Sequence, residues 1–590
     1  MTIELSRRRV LAIGAAVPVG LQLGEFAFGD VAHAAAARPE LATVPSGASA
    51  FVAVSPSRLA DTRPEKGVGG FTRLNPNTIR VKIAGRGGVP ANATAAVLNV
   101  TAVNTTLAGY VSVFPAGAAL PTASNVNVER AGQIIPNLVT VFLGTDGAVD
   151  VYSQNPADLI VDVNGAYAPA AAAVSAGRFV ALSTAYRAID TRNLGAKVGI
   201  NGVQRVDCTP VVPASASAIV VNLTVTESNA AGFWTGFAAG GAQPDSSSVN
   251  TDGANQTRAN QAILPVGTVG GLRGIDVFAS SGGHLVVDVA GYFTGDSDLK
   301  GTDGLFVPNS PYRTLDTRVN AKYGKLYPGW VAEFDYTGRA QSQAVVVNLT
   351  TTETRGAGFF TGYPARTERP LASNLNASYK NQTVANHAIL RTSTAGVAVY
   401  TQLGGHLIVD VAGYFLGTPV AATLPAPINV IPPATPPAPL PYILHTPAMP
   451  QSLMTVYEGV GDEIVDMSTT ARGVAGHWPG TGFAGENSHM VFFAHRTEHG
   501  GSWRYINLIG PGQEISIDTP DGRVFHYKYF STHITSPDAA EIYNVGLDAP
   551  IPSVSLVACS RVDGAFGTTV YRIVVTFYLY AVDNDPLSDI

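Results

Sequence analysis

Between residues 51 and 418, apolar positions fall in short Val, Ile, Leu and Thr runs separated by Gly, Asn and Ser clusters. That spacing predicts an all-β sandwich or barrel architecture. No helical apolar period of useful length occurs. Within this stretch three landmarks recur in register. Arg58-x-x-Asp61-Thr62-Arg63 returns as Arg187-x-x-Asp190-Thr191-Arg192 and as Arg313-x-x-Asp316-Thr317-Arg318. Leu98-Asn99-Val100-Thr101 returns as Val221-Asn222-Leu223-Thr224 and as Val347-Asn348-Leu349-Thr350. Ile160-Val161-Asp162-Val163 returns as Val287-Asp288-Val289-Ala290-Gly291-Tyr292 and Val409-Asp410-Val411-Ala412-Gly413-Tyr414. Three copies of one β unit are therefore expected, over 51–169, 179–296 and 306–418.

At about 120 residues a unit is large enough to bury its own core, so three independent β domains in a row are expected. They resemble a repeat found in secreted actinobacterial proteins, and that resemblance brings no catalytic motif. The Arg-x-x-Asp-Thr-Arg element reads as a buried cluster fixing the first strand; presenting guanidinium groups to an anionic sugar or wall phosphate is the other reading. Aligned copies place Cys208 opposite Ile83 and Tyr336. It is expected to pack as a small hydrophobe, with a disulfide to Cys559 as the alternative.

The pattern then changes twice. Eleven prolines between Thr418 and Pro450 predict a semi-rigid polyproline spacer over 419–450, holding the last domain away from the repeats. Beyond it, over 451–590, the strands lengthen and Tyr, Phe and His accumulate. Met490-Val491-Phe492-Phe493-Ala494 reads as a buried strand delivering His495 to its exit. Glu514–Thr519, the turn Pro520-Asp521-Gly522 and Val524–Tyr529 read as a hairpin. Val554–Cys559 and Tyr571–Phe577 read as the next two strands.

Composition narrows the function classes. Only 14% of residues are charged and the net charge is −6, which argues against a nucleic-acid binder. Two Cys and five Met exclude a disulfide scaffold and a cluster-type metal protein. No metal-ligand spacing, phosphate-binding glycine loop or GxSxG elbow occurs, and no cofactor is expected. At the N-terminus, Ser6-Arg7-Arg8-Arg9 precedes an apolar stretch from Val10 to Leu23, and Ala32-His33-Ala34 supplies small residues for cleavage. Residues 1–37 resemble a twin-arginine export signal. The apolar stretch is shorter than the ~20 residues of a membrane span, so a cleaved signal is expected, an uncleaved anchor being the alternative. The expected location is extracellular or at the cell envelope.

Cys559 ends an apolar strand before the polar loop Ser560-Arg561-Val562-Asp563-Gly564. An unpaired thiol in an exported domain is a candidate nucleophile once a base or cation lowers its pKa. The two strands joined across 560–570 can bring Arg572 beside it, and His495 would complete an acyl-transfer set. On these residues alone a buried structural Cys stays an equal reading. His477 reads as a structural member of its turn. His489, His499, His526 and His533 read as surface or hairpin residues.

Several elements here resemble sortases. They are His495-Arg496-Thr497-Glu498-His499-Gly500, Ile506-Asn507, Pro511-Gly512-Gln513-Glu514-Ile515 and Ile534-Thr535-Ser536-Pro537-Asp538. Gly476-His477-Trp478-Pro479-Gly480-Thr481 resembles an element of actinobacterial sortases, class E in particular. The resemblance covers about 450–585. It implies a sortase-type β-barrel, with Cys559 the nucleophile, His495 the acid/base and Arg572 the group that orients substrate and stabilises the oxyanion. It also implies cleavage of a sorting-signal peptide through a thioacyl-enzyme. Transfer then goes to an amine on a wall precursor or pilin.

Three features depart from that family. Ala558 stands where a Thr usually precedes the nucleophile, Ala494 where Gly is common, and β repeats stand where a transmembrane helix usually does. The chain carries no LPxTG-like signal and ends Asp583-Asn584-Asp585-Pro586-Leu587 before its last residues, so it reads as the enzyme of such a pathway and not its substrate. The combined expectation is an all-β protein, three tandem β-sandwich-like repeat domains followed by a sortase-type β-barrel, acting as an exported cysteine transpeptidase. Its expected partners are sorting-signal-bearing proteins, an amine acceptor and, through the repeats, wall polymer. A non-catalytic wall-binding or adhesive protein with a degenerate barrel is the alternative. Hydrolysis without transfer is a third outcome.

Overall fold

Each first landmark lies on a long strand that opens a repeat: Ser49–Asp61, Phe179–Asp190 and Phe306–Asp316. The computed structural model describes residues 44–430, 440–446, 453–458, 474–478, 481–484, 486, 488–494, 503–536, 552–560 and 571–583. In every repeat that first strand pairs with the last, which pairs with the strand carrying the Asn landmark, and that with a fourth; the first strands of the first and third repeats also meet at Ser49 and Phe306, joining those two sheets into one of eight strands. In the second repeat these are Phe179–Asp190, His284–Phe293, Ala218–Thr226 and Arg258–Pro265. A second antiparallel sheet, there Gly202–Asp207, Leu272–Ala279, Gly232–Ala238 and Val249–Thr251 with the short Gly267–Val269 paired to Leu272–Ala279, packs on it. Each repeat is thus a two-layer β unit with a Val- and Leu-rich core between its sheets.

The repeats are not independent units in a row. Their first sheets turn their other faces to a common centre and build a further core there. It is assembled from equivalent residues: Phe51, Phe179 and Phe306; Ala95, Ala218 and Ala344; Val97, Val220 and Val346. Phe51 stacks on Phe293 at 4.1 Å, Tyr167 on Phe306 at 4.4 Å, and Phe179 meets Phe415 at 4.6 Å, so each contact crosses a repeat boundary. Both faces of the first sheet are buried, which is why its strands read as near-continuous apolar runs. Ala218–Thr226 is buried at every position.

All three sequence landmarks serve this arrangement. The Asn landmark closes a ring: Asn260 Nδ2 donates to Asn99 Oδ1 at 3.0 Å, Asn386 to Asn222 at 3.2 Å, and Asn137 to Asn348 at 2.9 Å. The same donors' Oδ1 atoms accept the backbone N–H groups of Leu138, Gln261 and His387 in neighbouring repeats. Each of these buried amides also bonds a carbonyl of its own repeat, so it ties two repeats together, and an orphaned buried amide is costly. In the Arg-x-x-Asp-Thr-Arg element, register breaks in the first strand flank Arg58, Arg187 and Arg313. Each donates two bonds to the Asp of the third landmark, as Arg187 does to Asp288 at 2.8 and 3.1 Å. Each then reaches a carbonyl of the next repeat: Arg58 to Asp245, Arg187 to Leu371, Arg313 to Thr122. Gly165, Gly291 and Gly413 make room for the central aromatics, because a Cβ at Gly291 would lie 2.6 Å from the Phe179 ring.

Cys208 is fully buried, unpaired and packed in the second repeat's core, as expected, and burial pushes its thiol up to about 12. The proline-rich segment departs from a free spacer. Val420 bridges Ser393, Leu424 is buried, and Trp330 of the third repeat donates to Val430 O at 2.7 Å. Val430 itself packs in the core of the C-terminal barrel. The start of this segment fastens the barrel to the third repeat instead of standing it clear.

That barrel is closed and has eight strands. They are β1 (Tyr442–His445), β2 (Leu453–Glu458), β3 (Val474–His477), β4 (His489–Phe493), β5 (Glu514–Asp518), β6 (Val524–Thr535), β7 (Ser553–Ser560) and β8 (Tyr571–Asp583). They pair around the barrel in the order β1-β2-β3-β4-β7-β8-β6-β5. The expected hairpin is β5–β6, and the two expected late strands are β7 and β8. Alternation sorts the side chains: Val554, Leu556 and Ala558 enter the barrel core, while Val557 packs outside with Val491, Val574 and Trp478. Among the described residues, no helix is long and apolar enough to cross a membrane.

Candidate active site

Strand β7 carries the candidate nucleophile between two neighbours, β4 running parallel to it and β8 antiparallel. Its composition, Ser-Val-Ser-Leu-Val-Ala-Cys-Ser, is that of a strand buried on both faces, and Ser553 to Ala558 are all buried. Cys559 and Arg572 are directly paired residues of the β7–β8 ladder. Paired residues have Cβ atoms about 4.5–5.5 Å apart, within reach of a long side chain. Arg572 is partly exposed, and its Nη1 donates to Tyr571 O at 3.2 Å. Two pairs along, Val557 faces Val574, and beyond them Ser555 and Thr576 share a hydroxyl hydrogen bond of 2.8 Å. The ladder is regular throughout, so the Cys559–Arg572 pairing is fixed by eight successive residue pairs.

His495 lies outside the described residues, as does His499. Strand β4 ends at Phe493, paired with Val557, and Ala494 N donates to Val557 O at 3.4 Å. Ala494 is buried in the barrel core, and so is Ala558. The chain returns at Trp503, fully buried, whose indole N–H points at Met454 Sδ from 3.1 Å. Trp503, Ile506 and Ile509 all enter the barrel core. Their spacing of three, visible in the sequence, matches the 3₁₀ turn at Ile506–Leu508.

His477 is a structural member of its turn. Its Nε2 lies 2.9 Å from Gly482 O and 3.0 Å from Thr481 Oγ1, and Thr481 Oγ1 also accepts from Val491 N. His477 and Thr481 therefore latch the end of β3 to the middle of β4. His489 corrects the expectation of a surface residue. It is buried at the start of β4, and its Nδ1 lies 2.6 Å from Ser553 Oγ on β7. Burial pushes its imidazole down to about 3. His489 opens a strand that is buried from its first residue to Phe492. His526 pairs with Asp583 across β6 and β8 at 2.9 Å. Among the described residues no group of His, Cys, Asp and Glu is arranged to hold a metal ion.

Residues 444–579 match the family model of the sortase domain. The eight-stranded barrel is the sortase fold. Solved structures similar to the sortase-type domain include a Clostridium perfringens Sortase D5 transpeptidase, at 19% identity, covering 24% of this chain and 79% of that chain, with a TM-score of 0.20. SrtA sortase from Actinomyces oris is similar at 22% identity, covering 25% of this chain and 83% of that chain, with a TM-score of 0.21. Sortase E1 from Streptomyces coelicolor, solved with a tripeptide in its active site, is similar at 24% identity over 26% of this chain and 97% of that chain, with a TM-score of 0.20. Comparison with curated proteins gives no match. The sortase-type match begins within β1 and ends within β8, so it contains both Cys559 and Arg572.

Proposed function

We propose that this protein is an exported cysteine transpeptidase of the sortase type. The observation that carries the reading is the pairing of Cys559 with Arg572 inside a domain that matches the sortase model. Paired residues of β4 and β7 are 64 apart in sequence, as His489 is from Ser553 and Phe493 from Val557. His495 and Cys559 have the same separation. That spacing, with the His, Cys, Arg order, supports His495 as the acid/base.

In the proposed reaction the Cys559 thiolate attacks the carbonyl carbon of the scissile peptide bond. The tetrahedral oxygen takes the negative charge, and Arg572 provides a fixed positive charge for it. Collapse of the intermediate breaks the C–N bond, and His495 gives a proton to the departing amine. The thioacyl-enzyme is then attacked by an incoming amine, which loses a proton to His495 and releases the thiolate. Covalent catalysis divides one difficult amide exchange into two easier steps. The donors proposed are sorting-signal-bearing proteins, the acceptor an amine of a wall precursor or pilin, and the place of action the cell envelope.

The test is intact-mass measurement of the whole chain incubated with LPxTG- and LAxTG-type peptides, with and without an amine. The whole chain is needed because Val430 belongs to the barrel core. A mass increase absent in Cys559→Ala and discharged by the amine is the expected result. Discharge by water alone makes the enzyme a hydrolase. No adduct with any peptide on a folded chain overturns the enzyme reading in favour of a wall-binding protein.

A further inference from the structure

The three repeats share a feature that their common core does not use. On the outer face of each second sheet lies an aromatic pair at equivalent positions: Tyr110 with Tyr152 at 5.9 Å, Phe233 with Phe278 at 5.8 Å, and Phe359 with Tyr400 at 6.1 Å. Beside each pair runs the first strand of that sheet, and the three copies treat its edge differently. In the first repeat, Thr72–Asn75 pairs with Thr78–Lys82 and covers the edge. In the third, the carboxamide of Asn429 takes that place. Val331 N donates to Asn429 Oδ1 at 2.8 Å, and Asn429 Nδ2 donates to Val331 O at 2.8 Å. Val331 is consequently buried, and Tyr400 lies under the Arg369 guanidinium at 4.0 Å.

In the second repeat no described strand covers the edge, and at Arg205 O it is met by Gln204 Nε2 at 2.8 Å. Among the described residues, Gly202–Asp207 pairs with Leu272–Ala279 alone. Val203 faces Phe278 as Val331 faces Tyr400, so Val203 holds the same register and presents its N–H and C=O outward. Its side chain and that of Phe233 stand in solvent, Val203 at 54% exposure against 3% for Val331. Gln243 occupies the aligned place of Arg369, so the ring pair has no guanidinium over it from that position. An uncovered strand edge beside an apolar face is a template for an added chain.

We propose that the Gly202–Asp207 edge of the second repeat docks an extended, proline-rich segment of a partner polypeptide, one whose asparagine carboxamide pairs with the Val203 backbone. The third repeat shows the chemistry of the occupant, because its own edge is closed by Asn429 of the segment Leu424-Pro425-Ala426-Pro427-Ile428-Asn429-Val430. The asparagine pairs with both backbone groups of the edge residue, and the carbonyl of the residue after it accepts the Trp330 indole N–H. Prolines lower the entropy lost on ordering such a segment.

The experiment is fluorescence polarisation of a labelled peptide of sequence Leu-Pro-Ala-Pro-Ile-Asn-Val titrated with the full chain. Saturable binding is expected, weakened about tenfold by Asn-to-Leu exchange in the peptide, the size of two ordinary net hydrogen bonds. Val203→Lys, at an exposed position, is expected to weaken it similarly with melting temperature unchanged. Hydrogen exchange at the Val203 amide is expected to slow on peptide addition. A concentration-dependent dimer lost in Val203→Lys would also support the site, with a second copy of this chain as the partner. Absence of saturable binding, or binding indifferent to both Val203→Lys and the peptide exchange, overturns the proposal.

Discussion

Cys559 and Arg572 face each other as a register pair on adjacent antiparallel strands of the C-terminal barrel. The pairing is set by strand register and not by any loop. Under the proposed mechanism, Cys559→Ala abolishes the peptide adduct. Arg572→Ala is expected to lower kcat by about 10²–10³, the range for loss of one oxyanion donor. Arg572→Lys is expected to recover little, because an ammonium lacks the planar fork. Single-turnover peptide cleavage checks all three.

The second cysteine supplies an internal control. Cys208 is fully buried and its thiol is pushed up to about 12, so it is neither accessible nor ionised at neutral pH. Iodoacetamide on the native chain is expected to add one carbamidomethyl group, at Cys559, and two only after denaturation. Peptide mapping of the alkylated protein checks the site.

The asparagine ring predicts that damage at one boundary is felt by the whole repeat assembly. Asn260→Ala removes the donor to Asn99 Oδ1 and to Ser248 O, and the acceptor of the Leu138 N–H. Three buried groups lose their partner, and a destabilisation of about 2–4 kcal/mol is expected. Thermal unfolding by circular dichroism measures it. Gly291→Ala acts at the same centre by overpacking, with an expected loss of about 1–3 kcal/mol. The second repeat expressed alone exposes Phe179, Val220 and Phe293, and is expected to associate instead of remaining monomeric.

Acid sensitivity follows from two buried imidazoles. His387 sits in the shared core with Nδ1 2.8 Å from Gln261 Oε1 and Nε2 3.0 Å from Thr140 Oγ1. Gln261 Oε1 already accepts the Ile389 N–H, so it is an acceptor and His387 Nδ1 carries the proton. Burial pushes both His387 and His489 down to about 3. Unfolding frees them to protonate near the usual ~6.5. Between these values the unfolded chain binds more protons, so stability falls as pH falls from about 6.5 towards 3. Each histidine contributes a slope of about 1.4 kcal/mol per pH unit within that window. His387→Leu, which places the side chain of Leu138 at its repeat equivalent, is expected to remove about one proton from the slope. Denaturant unfolding across pH 4–7.5 checks it.

The segment order and strand content of this protein are written in its sequence. Landmark repetition marked three β units because every copy must satisfy the same local pairing: an Arg for the Asp on the last strand, an Asn at one place on the central strand, a small residue opposite the Phe. The hairpin at Pro520-Asp521-Gly522 and the strands around Cys559 and Arg572 were legible for a similar reason, since period-two alternation and turn residues act over a few neighbours. Association between repeats was not legible. The Asn ring and the central aromatics are buried by partners more than a hundred residues away, and a strand buried on both faces looks the same whichever neighbour buries it. The same limit hid the place of His489, whose burial depends on Ser553 across the barrel. It also hid the anchoring of the proline-rich segment, which Trp330 and Val331 decide and proline content does not. Residue type and period set local geometry; which surfaces meet depends on long-range contacts that only the folded chain brings together.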